Sequence, residues 1–190
     1  MKLSKLIEDY YSSYEYRQLR DETKVQYKYF LDVAINTEVG TAKTLGSINF
    51  SDITTKIAKL CYEKWCEKGI HMANHVMSVT RIIFNYAIHM EYTEVNPFSN
   101  IKRRTPQPRK VVWTKQDVKK FLDLAYSDFK YRNIGLIVQM AYEWCQRLGD
   151  MRTLTWDCLD LDKQKAHITQ SKRRAEVFLP ISDDLNSMLK

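Results

Sequence analysis

Arg147, Asp150 and Lys172 are the residues whose types and order could do chemistry. They lie in two stretches, EWCQRLGDMRTLTW at 143–156 and KAHITQSKRRAEVFLPIS at 165–182. A guanidinium is always charged and fits two phosphate oxygens at once. A carboxylate three residues on can hold that fork in place. A lysine on a short turn can reach into a site and protonate a leaving oxygen. The bland alternative is an exposed Arg–Asp pair at a helix cap and a solvated turn lysine. Residue types alone leave both readings open.

These residues need elements to place them. YRNIGLIVQMAYEWC, ahead of Arg147, is the most apolar helical stretch of the chain and the expected core of a second domain. A short helical turn to Leu154 follows the arginine. His167–Thr169 and Glu176–Leu179 alternate as two short strands, with Gln170 to Arg174 between them. That pattern predicts a small β-hairpin with Lys172 at or near its turn. Thr114 and Asp117 have N-cap spacing for a helix over TKQDVKKFLDLA, and Ser182 with Asp183 caps a last helix.

Upstream, four helical patterns follow one another. LSKLIEDYYSSYEYRQL spaces Leu3, Leu6, Ile7, Tyr10, Tyr11 and Tyr14 as one helix. DETKVQYKYFLDVAI begins a second at Asp21, with acids in its first turn and Val25, Tyr29, Leu31 or Asp32, and Val33 as its expected face. NFSDITTKIAKLCYEKWCEKG reads as a third. Ser51 or Asp52 is its expected cap, Ile53, Ile57, Leu60 and Cys61 its face, and Gly69 its stop. HMANHVMSVTRIIFNYAIHMEY is a long fourth, ending before Asn96-Pro97. The expected fold is mainly α: a four-helix domain over 1–103, a linker over 104–112, and a mixed α+β domain over 113–190 with a small β-hairpin.

The chain's 190 residues are 44% hydrophobic and 28% charged, with five glycines and four prolines. That composition excludes a disordered or fibrous chain. The net charge of +7 points to a polyanionic partner. Residues 1–105 carry 15 basic and 12 acidic side chains, and residues 106–190 carry 15 and 11. Neither half is a basic tail, so an anion-binding surface must come from folded patches. Around Pro106 and Pro108, the stretch IKRRTPQPRKVVWT sets Lys102, Arg103, Arg104, Arg109 and Lys110 with no acid between them. It reads as a solvated tether or as a basic strap across a phosphate backbone.

Other patterns carry less. Cys61, Cys66, His71 and His75 spell C-x4-C-x4-H-x3-H, but the gap between pairs is far shorter than the ~12 residues of a zinc finger. Cys61 and Cys66 also fall on different sides of one helix, so no metal is expected. The scattered cysteines fit reduced thiols in a cytoplasm. Asp157, Asp160 and Asp162 lack the glycine and the closing glutamate of a calcium loop. Most of the 12 tyrosines and four tryptophans sit at helical core spacing rather than as a base-stacking platform. No stretch approaches the ~20 apolar residues of a membrane span, and MKLSKLIEDYY lacks the apolar core of a signal peptide.

QRLGDMRTLTWDCLDLD resembles the first signature box of the tyrosine recombinases, the phage-integrase type of site-specific DNA recombinase. The arginine, the acid three residues later, the Leu-x-Trp and the acidic turn carry the likeness. ITQSKRRAEVFLPIS resembles that family's catalytic hairpin, with Lys172 at the lysine position and Pro180 after the second strand. The helical part ending in NPFSNIKRR is similar to the family's core-binding domain and linker.

The resemblance implies that two domains clamp double-stranded DNA. Arg147 would bind the scissile phosphate, Lys172 would be general acid for the leaving 5′ oxygen, and Asp150 would support the site. The product would be a 3′-phosphotyrosyl link, needing no cofactor because the link conserves the bond energy. DNA contacts are expected from Lys102, Arg103, Arg104, Arg109, Lys110 and Arg173. The second and fourth helices would offer Arg20, Lys24, Lys28 and Arg81 to a groove. The parent is expected to act as a homo-oligomer, a tetramer on DNA, in the cytoplasm of a bacterial or phage-infected cell.

The departure is large. The family's His-x-x-Arg box, its His or Trp and its nucleophilic Tyr follow the lysine. Here only 18 residues follow Lys172, without His or Tyr, and the last tyrosine is Tyr142. The expectation is therefore a truncated catalytic domain: a chain with no nucleophile, which binds DNA and cleaves none. Its helices also begin almost at Met1, which leans away from integrases with an extra N-terminal module. Two alternatives stand beside it: a non-catalytic remnant or regulator occupying recombination sites, and a helical interaction protein whose basic patches serve solubility.

Overall fold

Leu3, Leu6, Ile7 and Tyr10 recur at helical spacing, and all four are buried on one face of helix α1 (Leu3–Tyr11). The computed structural model describes residues 1–108 and 110–190. It divides into two units, Met1–Pro108 and Arg109–Lys190. The fold is mainly α, with two small antiparallel sheets.

In the first unit the expected opening helix is broken at Ser12-Ser13. The Ser13 hydroxyl accepts from the Tyr16 amide and starts a separate turn, α2 (Tyr14–Arg17). Tyr14 is therefore exposed and Tyr16 buried. Helix α3 (Asp21–Ile35) has acids in its first turn, as read from sequence, and buries the expected face only in part. Leu31 and Ala34 are buried, with Tyr27, Phe30 and Val33 packed beside them. Val25 and Tyr29 stay exposed. A two-stranded ribbon unforeseen in the sequence follows, β1 (Glu38–Gly40) and β2 (Lys43–Thr44).

Helix α4 (Thr55–Lys68) is capped by Thr54, whose hydroxyl accepts from the Ile57 amide. Ser51 and Asp52, the caps expected from sequence, lie in a separate 3-10 turn instead. Ala58, Cys61, Tyr62 and Trp65 form the buried stripe of α4, and Leu60 is exposed. Gly69 stops α4 at φ 145°, where a Cβ would be strained, and leads straight into α5 (Ile70–His89). Helix α5 ends at His89, short of Asn96-Pro97, and Glu91 takes a left-handed conformation just beyond it. Trp65 anchors this core. It is 1% exposed, stacks on Phe98 at 6.0 Å, and donates its indole N–H to Thr37 Oγ1 at 2.7 Å.

Three of the four zinc-like residues, Cys61, Cys66 and His75, pack against apolar or aromatic neighbours here. Cys61 is buried, which pushes its thiol up to about 11, and His75 stacks on Phe30 at 5.1 Å. Among the described residues no cluster of His, Cys, Asp or Glu could hold a metal ion.

The second unit starts with α6 (Lys115–Ser127), closed by a Thr114–Asp117 capping box. Helix α7 (Arg132–Trp144) crosses it closely, since a Cβ on Gly135 would meet a Tyr126 ring carbon at 2.7 Å. After α8 (Leu148–Arg152) come β3 (Leu159–Asp160), β4 (Lys165–Thr169) and β5 (Glu176–Pro180), a three-stranded antiparallel sheet in that order. The hairpin is the β4–β5 pair, with His167 opposite Phe178, and β3 adds an edge strand. Helix α9 (Asp183–Leu189) closes the unit, capped by Ser182. Ala166 and Ile168 alternate inward from β4 onto Met140, Trp144, Leu185 and Leu189. Among the described residues no helix is long and apolar enough to cross a membrane.

Candidate functional site

Helix α7 ends where Cys145 turns left-handed, at φ 52°, and the chain re-enters helix at α8 with Arg147 in the N-cap position. The backbone alone closes that cap. The amides of Asp150 and Met151 donate to the Arg147 carbonyl at 2.9 and 3.2 Å, and the arginine side chain plays no capping part. The Arg147 side chain is 43% exposed, with Nη1 3.8 Å from Asp150 Oδ2. The guanidinium is held at one edge and open at the rest.

Asp150 is the unusual group, because its carboxylate is buried at 2% side-chain exposure. Its Oδ1 accepts the Ser171 backbone amide at 3.0 Å. Oδ2 is buried, accepts no hydrogen bond among the described residues, and faces Arg147. Hydrogen bonds from the Ser171 hydroxyl and amide hold the carboxyl below the ordinary carboxylate range against the opposing effect of burial, and Arg147 adds to the lowering. Asp150 therefore stays ionised beside Arg147.

Ser171 belongs to the turn of the β4–β5 hairpin. Gln170 exchanges backbone hydrogen bonds across that turn, its amide with the Ala175 carbonyl at 2.9 Å and its carbonyl with the Arg174 amide at 2.8 Å. Arg174 closes the turn at φ 54°. A second tie lies beside the first: the Gln170 side-chain amide donates to Gln146 Oε1 at 2.6 Å, and Gln146 in turn donates to the Trp144 carbonyl. Gln146 and Asp150 thus flank Arg147 and bind Gln170 and Ser171, the two residues before Lys172. Lys172 and Arg173 are exposed on the turn. Trp144 fixes the other end of the hairpin, donating its indole N–H to the Pro180 carbonyl at 2.8 Å.

The basic residues of the first unit divide into groups. Lys102, Arg103 and Arg104 are exposed on the segment following Phe98. Lys102 and Arg104 line a recess of about 330 Å³ together with Lys59, which sequence reading overlooked, and with Glu63. Lys24 is paired with Asp21 at 3.2 Å, and Lys28 lies over the Tyr11 ring. Arg20 is exposed at the start of α3. Arg81 departs from the expected groove contact. Its Nε donates to the Phe98 carbonyl at 2.7 Å, and one terminal nitrogen donates to those of Ser99 and Ile101 at 3.2 and 2.5 Å. Burial and the neighbouring Arg103 pull its pKa down from the ordinary guanidinium value. Lys110 is exposed, and Arg109 lies outside the described residues.

The model of the phage integrase family matches residues 112–190, the stretch that carries Arg147, Asp150 and the hairpin. Over its second unit the chain is similar to the phage integrase family. The integrase fold extends over the first unit as well. A lambda integrase dimer bound to a COC′ core site matches with a TM-score of 0.76 at 19% identity, over 95% of this chain and 49% of that one. A lambda integrase tetramer bound to a Holliday junction matches with a TM-score of 0.78 at 18% identity, over 98% and 53%. A Tn1549 transposon integrase in complex with transposon right end DNA matches with a TM-score of 0.82 at 16% identity, over 100% and 64%. The chain spans about half to two thirds of the length of these solved structures. A comparison with curated proteins finds no match.

Proposed function

We propose that this chain is the DNA-gripping portion of a site-specific recombinase. In this reading the first unit is a core-binding domain, residues 104–112 a basic linker, and the second unit the start of a catalytic domain. One observation carries the reading: a buried, ionised Asp150 faces the half-exposed Arg147 and also holds the hairpin turn that presents Lys172. A surface ion pair kept for stability alone has no need of a buried carboxylate that ties two segments together.

The geometry suits phosphoryl transfer. The open edge of the Arg147 guanidinium can take two oxygens of one phosphate and stabilise the charge that builds in a pentavalent transition state. Lys172 reaches the same neighbourhood from the hairpin turn and protonates the leaving 5′ oxygen. Asp150 positions both groups without touching the substrate. The attacking tyrosine and the His-x-x-Arg pair find no counterpart between Arg173 and Lys190. These 190 residues therefore bind duplex DNA without cutting it, and could also occupy a site and block an active enzyme there. The lambda integrase dimer and tetramer on DNA support a parent that works as a tetramer.

Paired native and denaturing gels with radiolabelled duplex DNA test this reading. A salt-sensitive retarded band on the native gel and no covalent adduct on the denaturing gel are expected. An adduct that survives denaturation, or no retarded band at low salt, contradicts it.

A further inference from the structure

The segment between α5 and the prolines looks like a tether by composition, yet its first half is tied to the helical core. Phe98 is fully buried and Ile101 nearly so. Arg81 gathers the carbonyls of Phe98, Ser99 and Ile101 onto one guanidinium. The Asn96 side chain bridges back to α5, donating to the Arg81 carbonyl and to Asn85 while accepting the Phe98 amide. A closed ring of three hydrogen bonds then fixes Arg104. Its amide donates to the Tyr62 hydroxyl at 2.7 Å, that hydroxyl donates to Asn74 Oδ1 at 2.7 Å, and Asn74 Nδ2 donates to the Arg104 carbonyl at 2.9 Å. Tyr62 is itself 3% exposed, so the ring is anchored in the core. From Thr105 to Trp113 the described residues form no helix or strand, and Val111 and Val112 are 85% and 81% exposed.

We propose that Arg81, Tyr62 and Asn74 are positioning residues that make Phe98–Arg104 a fixed ridge of the first unit, presenting Lys102, Arg103 and Arg104 beside Lys59 as a preorganised contact for duplex DNA phosphates. The tether starts only at Thr105. The inference rests on the DNA-binding reading above and sharpens it. A mobile strap must be ordered when it meets DNA, and each rotamer-rich side chain it immobilises weakens binding. A ridge already clamped avoids the backbone share of that cost. Arg81, taken from sequence as a groove contact, acts instead through the carbonyls it holds.

Two readouts on the whole chain separate the clamp from the contact. Limited trypsin digestion, followed by mass spectrometry, reads the clamp without DNA. In the wild type, cleavage after Lys110 should precede cleavage after Arg104. Tyr62→Phe keeps the ring packing but removes the hydroxyl, and should speed cleavage after Arg104 by about fivefold to tenfold, the worth of one hydrogen bond. Arg81→Lys should speed cleavage after Arg103 in the same way. Salt-titrated binding to a linear mixed-sequence duplex reads the contact. Tyr62→Phe should weaken binding about threefold with an unchanged log–log salt slope. Replacing Lys102, Arg103 and Arg104 together with alanine should flatten the slope by up to about 2.7. Wild-type cleavage after Arg104 as fast as after Lys110, or a Tyr62→Phe protein that cleaves and binds like wild type, overturns the clamp. If the triple variant binds like wild type while the wild type binds well, the ridge is not a DNA contact. A wild type that binds no duplex defeats the DNA-binding reading itself, and the ridge with it, whatever trypsin shows.

Discussion

Ser171 donates its backbone amide to Asp150 Oδ1 at 3.0 Å, across 21 residues of chain. That bond joins helix α8 to the tip of the hairpin, and so relates Arg147 to Lys172. Removing the carboxylate leaves a hairpin amide without its acceptor. Asp150→Ala should destabilise the second unit by about 1–3 kcal/mol, the usual cost of orphaning a buried polar partner. Denaturant melts measure the loss, and amide exchange at Ser171 locates it.

The same bond has a pH signature. The Asp150 carboxyl is held below its ordinary value of 3.8 in the folded chain, chiefly by Ser171. The unfolded state therefore takes up a proton first as pH falls, and the stabilisation disappears between that value and the lower folded one. Above it the contribution is complete and flat. Stability of the second unit should fall as pH drops below about 4, more steeply in wild type than in Asp150→Asn. An identical acid profile for the two proteins speaks against an ionised, hydrogen-bonded Asp150.

Gln170 and Gln146 make the second tie, at 2.6 Å. Both are neutral, so Gln170→Ala should cost only about 0.5–1.5 kcal/mol. Because Gln170 lies on the same hairpin turn that Asp150 holds through Ser171, the two should couple. The double variant Asp150→Ala with Gln170→Ala should lose less than the sum of the singles by at least about 0.5 kcal/mol. A strictly additive cycle means that the two ties act independently.

Phe98 belongs to the first unit's core, stacked on Trp65 and tilted against Phe84. Phe98→Ala should cost about 3–5 kcal/mol there. Tryptophan fluorescence of Trp65 and Trp144, followed in single-tryptophan variants, should show the Trp65 transition moving to lower denaturant and the Trp144 transition holding still. Equal movement of both transitions contradicts two separate cores.

Local signals made the helices legible, and long-range ones hid the site. Asp21 and Glu22 at the start of α3, and Gly69 at the end of α4, are properties of the chain itself, so those boundaries could be read directly. The face of α3 could be read only in part, at Leu31 and Val33, because Tyr27 and Phe30 compete with Val25 and Tyr29 at similar spacing and tertiary contacts choose between them. Ser51 and Asp52 are good caps by type, but Thr54 stands next to the helix that actually buries Ala58 and Cys61. Arg147, Asp150 and Lys172 stood out by order and type. The burial of Asp150 and its bond to Ser171 did not, since both depend on where the hairpin folds back. Arg81 misled for the same reason: a basic residue on a helix looks like a surface contact until the segment 98–101 returns to it.

The salt dependence of duplex DNA binding, compared between the wild-type chain and Arg147→Ala, tests the central claim most directly. Arg147 is half-exposed, but its removal leaves the buried Asp150 Oδ2 without a counter-charge, so the variant should lose roughly 1–3 kcal/mol of stability and is compared under conditions where it is folded. If Arg147 grips a phosphate, log Kd should rise steeply with log salt in the wild type, and the variant should bind more weakly with a slope shallower by about 0.9. A folded Arg147→Ala protein with wild-type affinity and wild-type slope would show that Arg147 touches no phosphate in the complex.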